Sequence, residues 1–192
     1  MLKKHQTEGT QNVGAFKTTF SENIYKQFEI EMKCVEPCTQ SVIEELENSG
    51  YRIMCLTART PEFLSKTLTQ LESSGIIFHN KTFPQQCHFN NLEYPCMYKN
   101  GIFGVNENNK GTALFLLLDA NKFYPKTIVF IDDREKYLKQ IEEIAKKKGI
   151  NFVGLRYSCC DNRESIFDQN AADKDYEKLI SQENQTYNQK QP

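Results

Sequence analysis

Three polar signals stand where apolar elements stop, and together they could handle a phosphate. The first is an acid pair, Asp132-Asp133, that closes the run Thr127-Ile128-Val129-Phe130-Ile131 and is followed by Arg134-Glu135. The second is Thr57, straight after Ile53-Met54-Cys55-Leu56, and the third is Lys110, which with Gly111 opens an apolar stretch. Two adjacent carboxylates concentrate negative charge, which is costly without a cation, so a hard ion such as Mg²⁺ suits them. A hydroxyl and its neighbouring backbone donors can hold phosphate oxygens, while a lysine ammonium neutralises their charge. Each signal also has a purely structural reading. One acid can be the N-cap of the next helix with the other solvated, Thr57 can cap a strand end, and Lys110 can be a solvated surface charge. Their order and spacing together say more than any one of them.

A sheet is needed to gather these residues. The run at 127–131 is rich in β-branched and aromatic types, as suits a strand covered on both faces; the next clear strand, 151–155, lies beyond a helix, which implies a parallel pair. Ligands bind at the carboxyl ends of such strands, where Thr57 and the acid pair would lie. Upstream, Val42, Ile43 and Leu46 mark a helix capped by Thr39 or Ser41, with Ser41 and Glu44 spaced as a capping box and Gly50 as its stop. A strand at 51–56 follows. Thr60 and Pro61 then open a second helix, with Phe63, Leu64, Leu68 and Leu71 on one face and Gly75 beyond its end. Residues 76–78 read as a short strand. Residues 79–105, with Asn100-Gly101 between Met97-Tyr98 and Ile102-Phe103, read as a hairpin-bearing insertion. A nearly all-apolar helix is expected over 112–122, and an amphipathic one over 134–148 with Tyr137, Leu138, Ile141, Ile144 and Ala145 inward. This alternation is that of βαβ units in an α/β fold.

The 192 residues, 39% hydrophobic and 26% charged, can bury one α/β core with a tail. The expected division is a polar, helical, cap-like region at 1–34, the core at 35–180, and a Gln- and Asn-rich disordered end at 181–192, preceded by a short docking helix at 176–180. A net charge of −1 with scattered basic residues argues against a dedicated nucleic-acid binder. Lys146-Lys147-Lys148 before Gly149 places cations where a helix C-terminus favours them. No apolar run approaches the roughly 20 residues of a membrane span. The start turns polar at once, so the chain reads as soluble and cytoplasmic. Seven cysteines, an odd number, do not suggest a disulfide framework, and Cys34, Cys38, Cys87 and His88 lack the paired two-residue gap of a zinc knuckle.

Leu56-Thr57-Ala58-Arg59, Lys110-Gly111 and Phe130-Ile131-Asp132-Asp133 resemble the second, third and fourth motifs of the haloacid dehalogenase superfamily. Asn151-Phe152-Val153-Gly154-Leu155-Arg156-Tyr157-Ser158, Phe167-Asp168 and Ala171-Ala172-Asp173 are similar to a bacterial subfamily of uncharacterised haloacid dehalogenase-like proteins. The resemblance covers roughly residues 35 to 180. It implies a Rossmann-like core with a parallel sheet and helices on both faces, and Mg²⁺-dependent hydrolysis of a small phosphomonoester through a phospho-aspartate. On that likeness Thr57 and Ala58 would bind the phosphoryl group, Lys110 would stabilise it and the nucleophile, and Asp132 and Asp133 would hold Mg²⁺.

The family's nucleophile stands in an Asp-x-Asp at the end of an N-terminal apolar strand. Here no aspartate precedes Asp119, and the Asp-x-Asp of the chain, Asp173-Lys174-Asp175, lies in a polar stretch and reads as surface charge. The chain is therefore expected to be inactive as it stands: a fragment of an enzyme, or a non-catalytic pseudoenzyme that keeps a phosphate or metal pocket. In the family's sheet the missing strand lies between those ending at Thr57 and Asp132. Its loss leaves two apolar edges open to self-association. A receiver domain, which also has an acid pair after its first strand, needs two further strands that the polar C-terminal residues do not supply.

Overall fold

The apolar run that ends in the acid pair forms a strand, and the helices around it follow the sequence pattern. The computed structural model describes residues 32–79, 82–84, 86–159, 161, 162, 166, 168, 170, 171 and 174. The expectations for 1–31, the helix at 176–180 and the tail at 181–192 lie outside the described residues. The chain divides into two units, Ile24–Tyr157 and a second made of Met1–Asn23 with Ser158–Pro192. In the second, the Asp168 carboxylate accepts the backbone N–H groups of Asn170 and Ala171, a local turn cap. All the elements that follow belong to the first.

These are α1 (Thr39–Asn48), β1 (Cys55–Thr57), a 3-10 turn (Pro61–Phe63) leading into α2 (Leu64–Ser73), β2 (Cys87–Phe89), β3 (Cys96–Lys99), β4 (Ile102–Gly104), α3 (Lys110–Ala120), β5 (Thr127–Asp132), α4 (Glu135–Lys147) and β6 (Asn151–Arg156). They form a mixed α/β arrangement with two sheets: a four-stranded sheet in the order β1-β4-β3-β2 and a two-stranded sheet of β5 and β6. β1 runs parallel to β4 and β5 runs parallel to β6, whereas the β2–β3 and β3–β4 pairs are antiparallel. Asn100 and Gly101 join β3 to β4 with φ of 51° and 81°, the left-handed pair that a two-residue hairpin turn demands. No helix among the described residues is long and apolar enough to cross a membrane.

Several expectations are corrected by tertiary contacts. Residues 76–78 form no strand, because the Gln40 carboxamide serves Ile77 instead: the Ile77 N–H donates to Gln40 Oε1 at 2.8 Å and Gln40 Nε2 donates to the Ile77 carbonyl. The place beside β1 is taken by β4, from the stretch read as an insertion. That stretch supplies three of the four strands of the larger sheet and buries Phe83, Cys96, Tyr98 and Phe103. The strand expected over 51–56 is confined to Cys55–Thr57. The capping box at Ser41 and Glu44 does not form; Cys38 occupies the N-cap and the Ser41 hydroxyl donates to its carbonyl. Thr60 likewise caps nothing through its side chain, although Pro61 opens the turn as expected. The strand at 127–132, expected to be covered on both faces, is covered on one: Val129 and Ile131 are 59% and 61% exposed, and their register partners Val153 and Leu155 are exposed beside them.

The core joins buried residues of β2, β3 and β4 to α3 and α4, with Ile128, Phe130 and Phe152 of the second sheet packed against them. α3 is apolar nearly all round and buries Ala113, Leu114, Phe115, Leu117 and Leu118, as its composition requires. It packs on α4, whose inward residues Leu138, Ile141 and Ala145 are those the periodicity selects. The two helices come close at Gly111, where an added Cβ would run into the Gln140 carbonyl oxygen. Gly111→Ala is therefore expected to lower the denaturation midpoint by the equivalent of about 1–3 kcal/mol or more, because backbone must shift to admit the methyl group. Gly149→Ala, strained only by its φ of +69° with open space around it, should cost about 1 kcal/mol. Equal midpoints for the two variants in urea would refute the close helix approach.

Candidate functional site

β5 shows how a strand sorts two adjacent acids. Side chains alternate faces, so Asp132 shares the inward face with Ile128 and Phe130 while Asp133 falls on the other side, exposed. The helix that faces Asp132 is α3. Asn109 caps it, its side-chain oxygen accepting the Thr112 N–H at 3.0 Å, and the Gln140 Oε1 of α4 accepts the Lys110 N–H at 2.9 Å. Lys110, the first residue of α3, is thereby fixed at both its backbone and its side chain. Its Nζ donates to Asp132 Oδ2 at 2.7 Å, with both side chains less than a tenth exposed. The second carboxylate oxygen, Oδ1, accepts the Arg134 N–H at 2.9 Å.

Aromatic rings complete the lysine's surroundings: its Nζ lies 4.1 Å from the centroid of Tyr137 and 5.6 Å from that of Phe130. Lys110 and Ala58 line one cleft of about 380 Å³, together with Tyr137 and Gln140. Thr57 ends β1 one residue before Ala58. Its hydroxyl oxygen accepts the Arg59 N–H at 3.2 Å, which tightens the turn after the strand and leaves the hydroxyl proton to donate elsewhere. Arg59 anchors that turn to α2 by donating from Nη1 to Thr67 Oγ1 at 2.9 Å and Gln70 Oε1 at 2.7 Å. Burial holds the Arg59 guanidinium below its ordinary pKa. Burial likewise pushes the thiol of the partly buried Cys55 up, against the pull of the Lys110 and Arg59 cations, which favours its protonated form.

The structure thus brings Ala58, Lys110 and Asp132 to one place, leaves Thr57 next to Ala58 in sequence but outside the cleft lining, and leaves Asp133 exposed. Asp132 has both oxygens engaged, so Asp133 is the carboxylate open to a cation, and among the described residues no group of three His, Cys, Asp or Glu side chains comes together. That donor set fits Mg²⁺ only in part. One carboxylate suffices where phosphate and water oxygens fill the rest of the shell, and no further carboxylate, His or Cys cluster among the described residues would enclose the ion. Gln140, Lys136 and Asn106 were not singled out by sequence reasoning. Their signal is weak, since polar residues on the exposed side of an amphipathic helix or in a loop look alike whether or not a cleft lies beneath them.

Lys110→Met would leave the Asp132 carboxylate buried without its partner, a change expected to cost about 3–5 kcal/mol. Adding Asp132→Leu should restore most of that loss, because a paired apolar replacement removes both desolvation costs. Additive losses in a denaturant double-mutant cycle would contradict the buried pairing.

No solved structure matches the chain. Among curated proteins it is similar to a "Putative outer membrane protein" of Chlamydia trachomatis, 26% identical over 91% of this chain and 67% of that protein. Proteins with that description from Chlamydia pneumoniae and Chlamydia muridarum are 27% and 22% identical, over 80% and 78% of this chain. The chain spans 60% and 56% of the lengths of those two. A family match covers residues 1–186, so the chain belongs to the family described as "Protein of unknown function (DUF2608)".

Proposed function

We propose that the chain carries a haloacid dehalogenase-like core whose cleft at Thr57, Ala58 and Lys110 receives the phosphoryl group of a small phosphomonoester. The observation that carries this reading is convergence: residues from three separated motifs meet around one lysine, whose ammonium rests on Asp132 at 2.7 Å. A lysine at the start of a helix is unfavourable to the helix dipole, so its position there calls for a compensating anion. Asp132 supplies one, and a phosphate oxygen at the cleft side would supply another. Mg²⁺ held at Asp133 would lie outside the cleft lining, on the exposed side of β5, so within the cleft the phosphate charge is met by Lys110. β1 and β5 are edge strands of their sheets, and the strand carrying the nucleophile in that family would lie between them. A cytoplasmic site of action goes with this reading, whereas the chlamydial relatives are named as outer membrane proteins.

The absence of any aspartate before Asp119 favours a second reading, a phosphate-binding module without turnover. One set of measurements separates the two. Calorimetric titration of inorganic phosphate into the chain should show binding that Thr57→Ala weakens at least about tenfold, the scale of one hydrogen bond to a charged group. Aryl phosphate with Mg²⁺ should go unhydrolysed by this chain and be turned over by the longer Chlamydia trachomatis relative. Lack of phosphate binding sinks both readings, and an inert relative that still binds phosphate favours the module.

The same reading predicts self-association through β5, which among the described residues pairs on one side only, since an apolar strand with a free edge recruits another. Val129→Lys with Ile131→Lys should move the light-scattering mass toward that of a monomer; a wild-type chain that is monomeric at high concentration would contradict this.

A further inference from the structure

The cleft is larger than a phosphate needs, and its remaining wall has a definite chemistry. About 380 Å³ is at the lower end of small-molecule pockets, so whatever accompanies the phosphoryl group is small. That wall is built by Lys136, Tyr137 and Gln140 from the first turns of α4, faced by Asn106 and Glu107 of the loop before α3. The two amides have their oxygens committed: Gln140 Oε1 accepts the Lys110 N–H and Asn106 Oδ1 accepts the Glu107 N–H, each at 2.9 Å. What they retain for a ligand is N–H donors. Lys136 has no carboxylate partner among the described residues; its ammonium stands 4.7 Å from the Tyr137 ring centroid. Lys110 stands 4.1 Å from the centroid of the same ring, so the two ammonium groups are at most about 9 Å apart. Lys110 is neutralised by Asp132, whereas Lys136 is not, and a lysine in the first turn also opposes the dipole of its own helix. Glu107, exposed on the facing loop, suits a ligand hydroxyl and repels an anion from that side.

We propose that Lys136, with the Gln140 and Asn106 amides, forms a subsite for a second acidic group. The substrate class is then a small phosphomonoester whose leaving group bears a carboxylate or a further phosphate. The inference rests on the phosphate reading above and adds the identity of the leaving group to it.

Two non-hydrolysable probes test this on the chain as it exists: methylphosphonate, with one acidic head, and phosphonoacetate, with a carboxylate added. Calorimetry at fixed ionic strength should give phosphonoacetate an affinity at least about tenfold higher, the gain of one charge-assisted contact. K136A should bring that ratio to about one, while K139A, which removes an exposed lysine one turn along α4, should leave it unchanged. Binding of neither probe would overturn the phosphate reading and the subsite with it. Equal affinities in the wild-type chain, or a ratio that K136A does not alter, would overturn the subsite alone.

Discussion

The ion pair between Lys110 and Asp132 is the contact on which the rest of the arrangement depends. It joins the start of α3 to the end of β5 at 2.7 Å, in a place where both side chains are removed from water. Removing two charges from water costs several kcal/mol each, and their attraction offsets that cost only where the geometry is close and the remaining polar atoms are satisfied. Both conditions hold: Arg134 N–H occupies the second Asp132 oxygen, and the rings of Tyr137 and Phe130 face the ammonium. The pair is a poor source of net stability compared with an apolar replacement. It is a strong determinant of position, because neither partner can move away without leaving a buried charge behind.

The positioning extends outward by close contact. Gly111 lets α3 approach the Gln140 backbone, and the Gln140 side chain returns to the Lys110 N–H, so one residue of α4 fixes the first turn of α3 twice. Lys148 Nζ reaches Asp119 Oδ2 at 2.9 Å at the other end of these helices. That pair is partly exposed and contributes little energy, but it agrees with the register set at Gly111. On the opposite side, Arg59 ties the turn after β1 to Thr67 and Gln70, so the backbone of Ala58 has a fixed place at the rim of the cleft.

Local chemistry was legible in the sequence where it depends on period and caps. The 3.6-residue period selected Leu138, Ile141 and Ala145, the greasy composition of α3 required its burial, Asn100-Gly101 fixed a hairpin, and the two-residue period explains why Asp132 turns inward and Asp133 outward. What could not be read were pairings between distant residues. Nothing near Ile77 signals that Gln40, 37 positions earlier, would take both of its backbone groups. Nor does the 79–105 stretch announce that its last strand would run parallel to β1, since aromatic residues and turns look alike in an insertion and in a core sheet. Among the site residues the same division holds. Lys110 and Asp132 carry strong local signals, whereas Lys136 and Gln140 acquire meaning only from the helix packing that turns them toward the cleft.

On the proposed reading, two features that look unrelated have one cause. Val129, Ile131, Val153 and Leu155 form an apolar surface on a two-stranded sheet, and sheets of two strands are marginal without further cover. β1, whose last residue is Thr57, is likewise an edge of its own sheet. On the proposed reading, a single parallel strand would join these edges, and its carboxyl end would arrive beside Thr57, Lys110 and Asp132. The exposed apolar area and the lack of an aspartate before Asp119 would then have one cause, a strand position that no described residue fills. The buried lysine fits that account, since among the described residues Asp132 is the one carboxylate that neutralises it, and an added carboxylate at the strand end would meet an ammonium already fixed in place. An acid brought there would be held against Lys110 and favoured in its charged form, the state in which it could attack phosphorus.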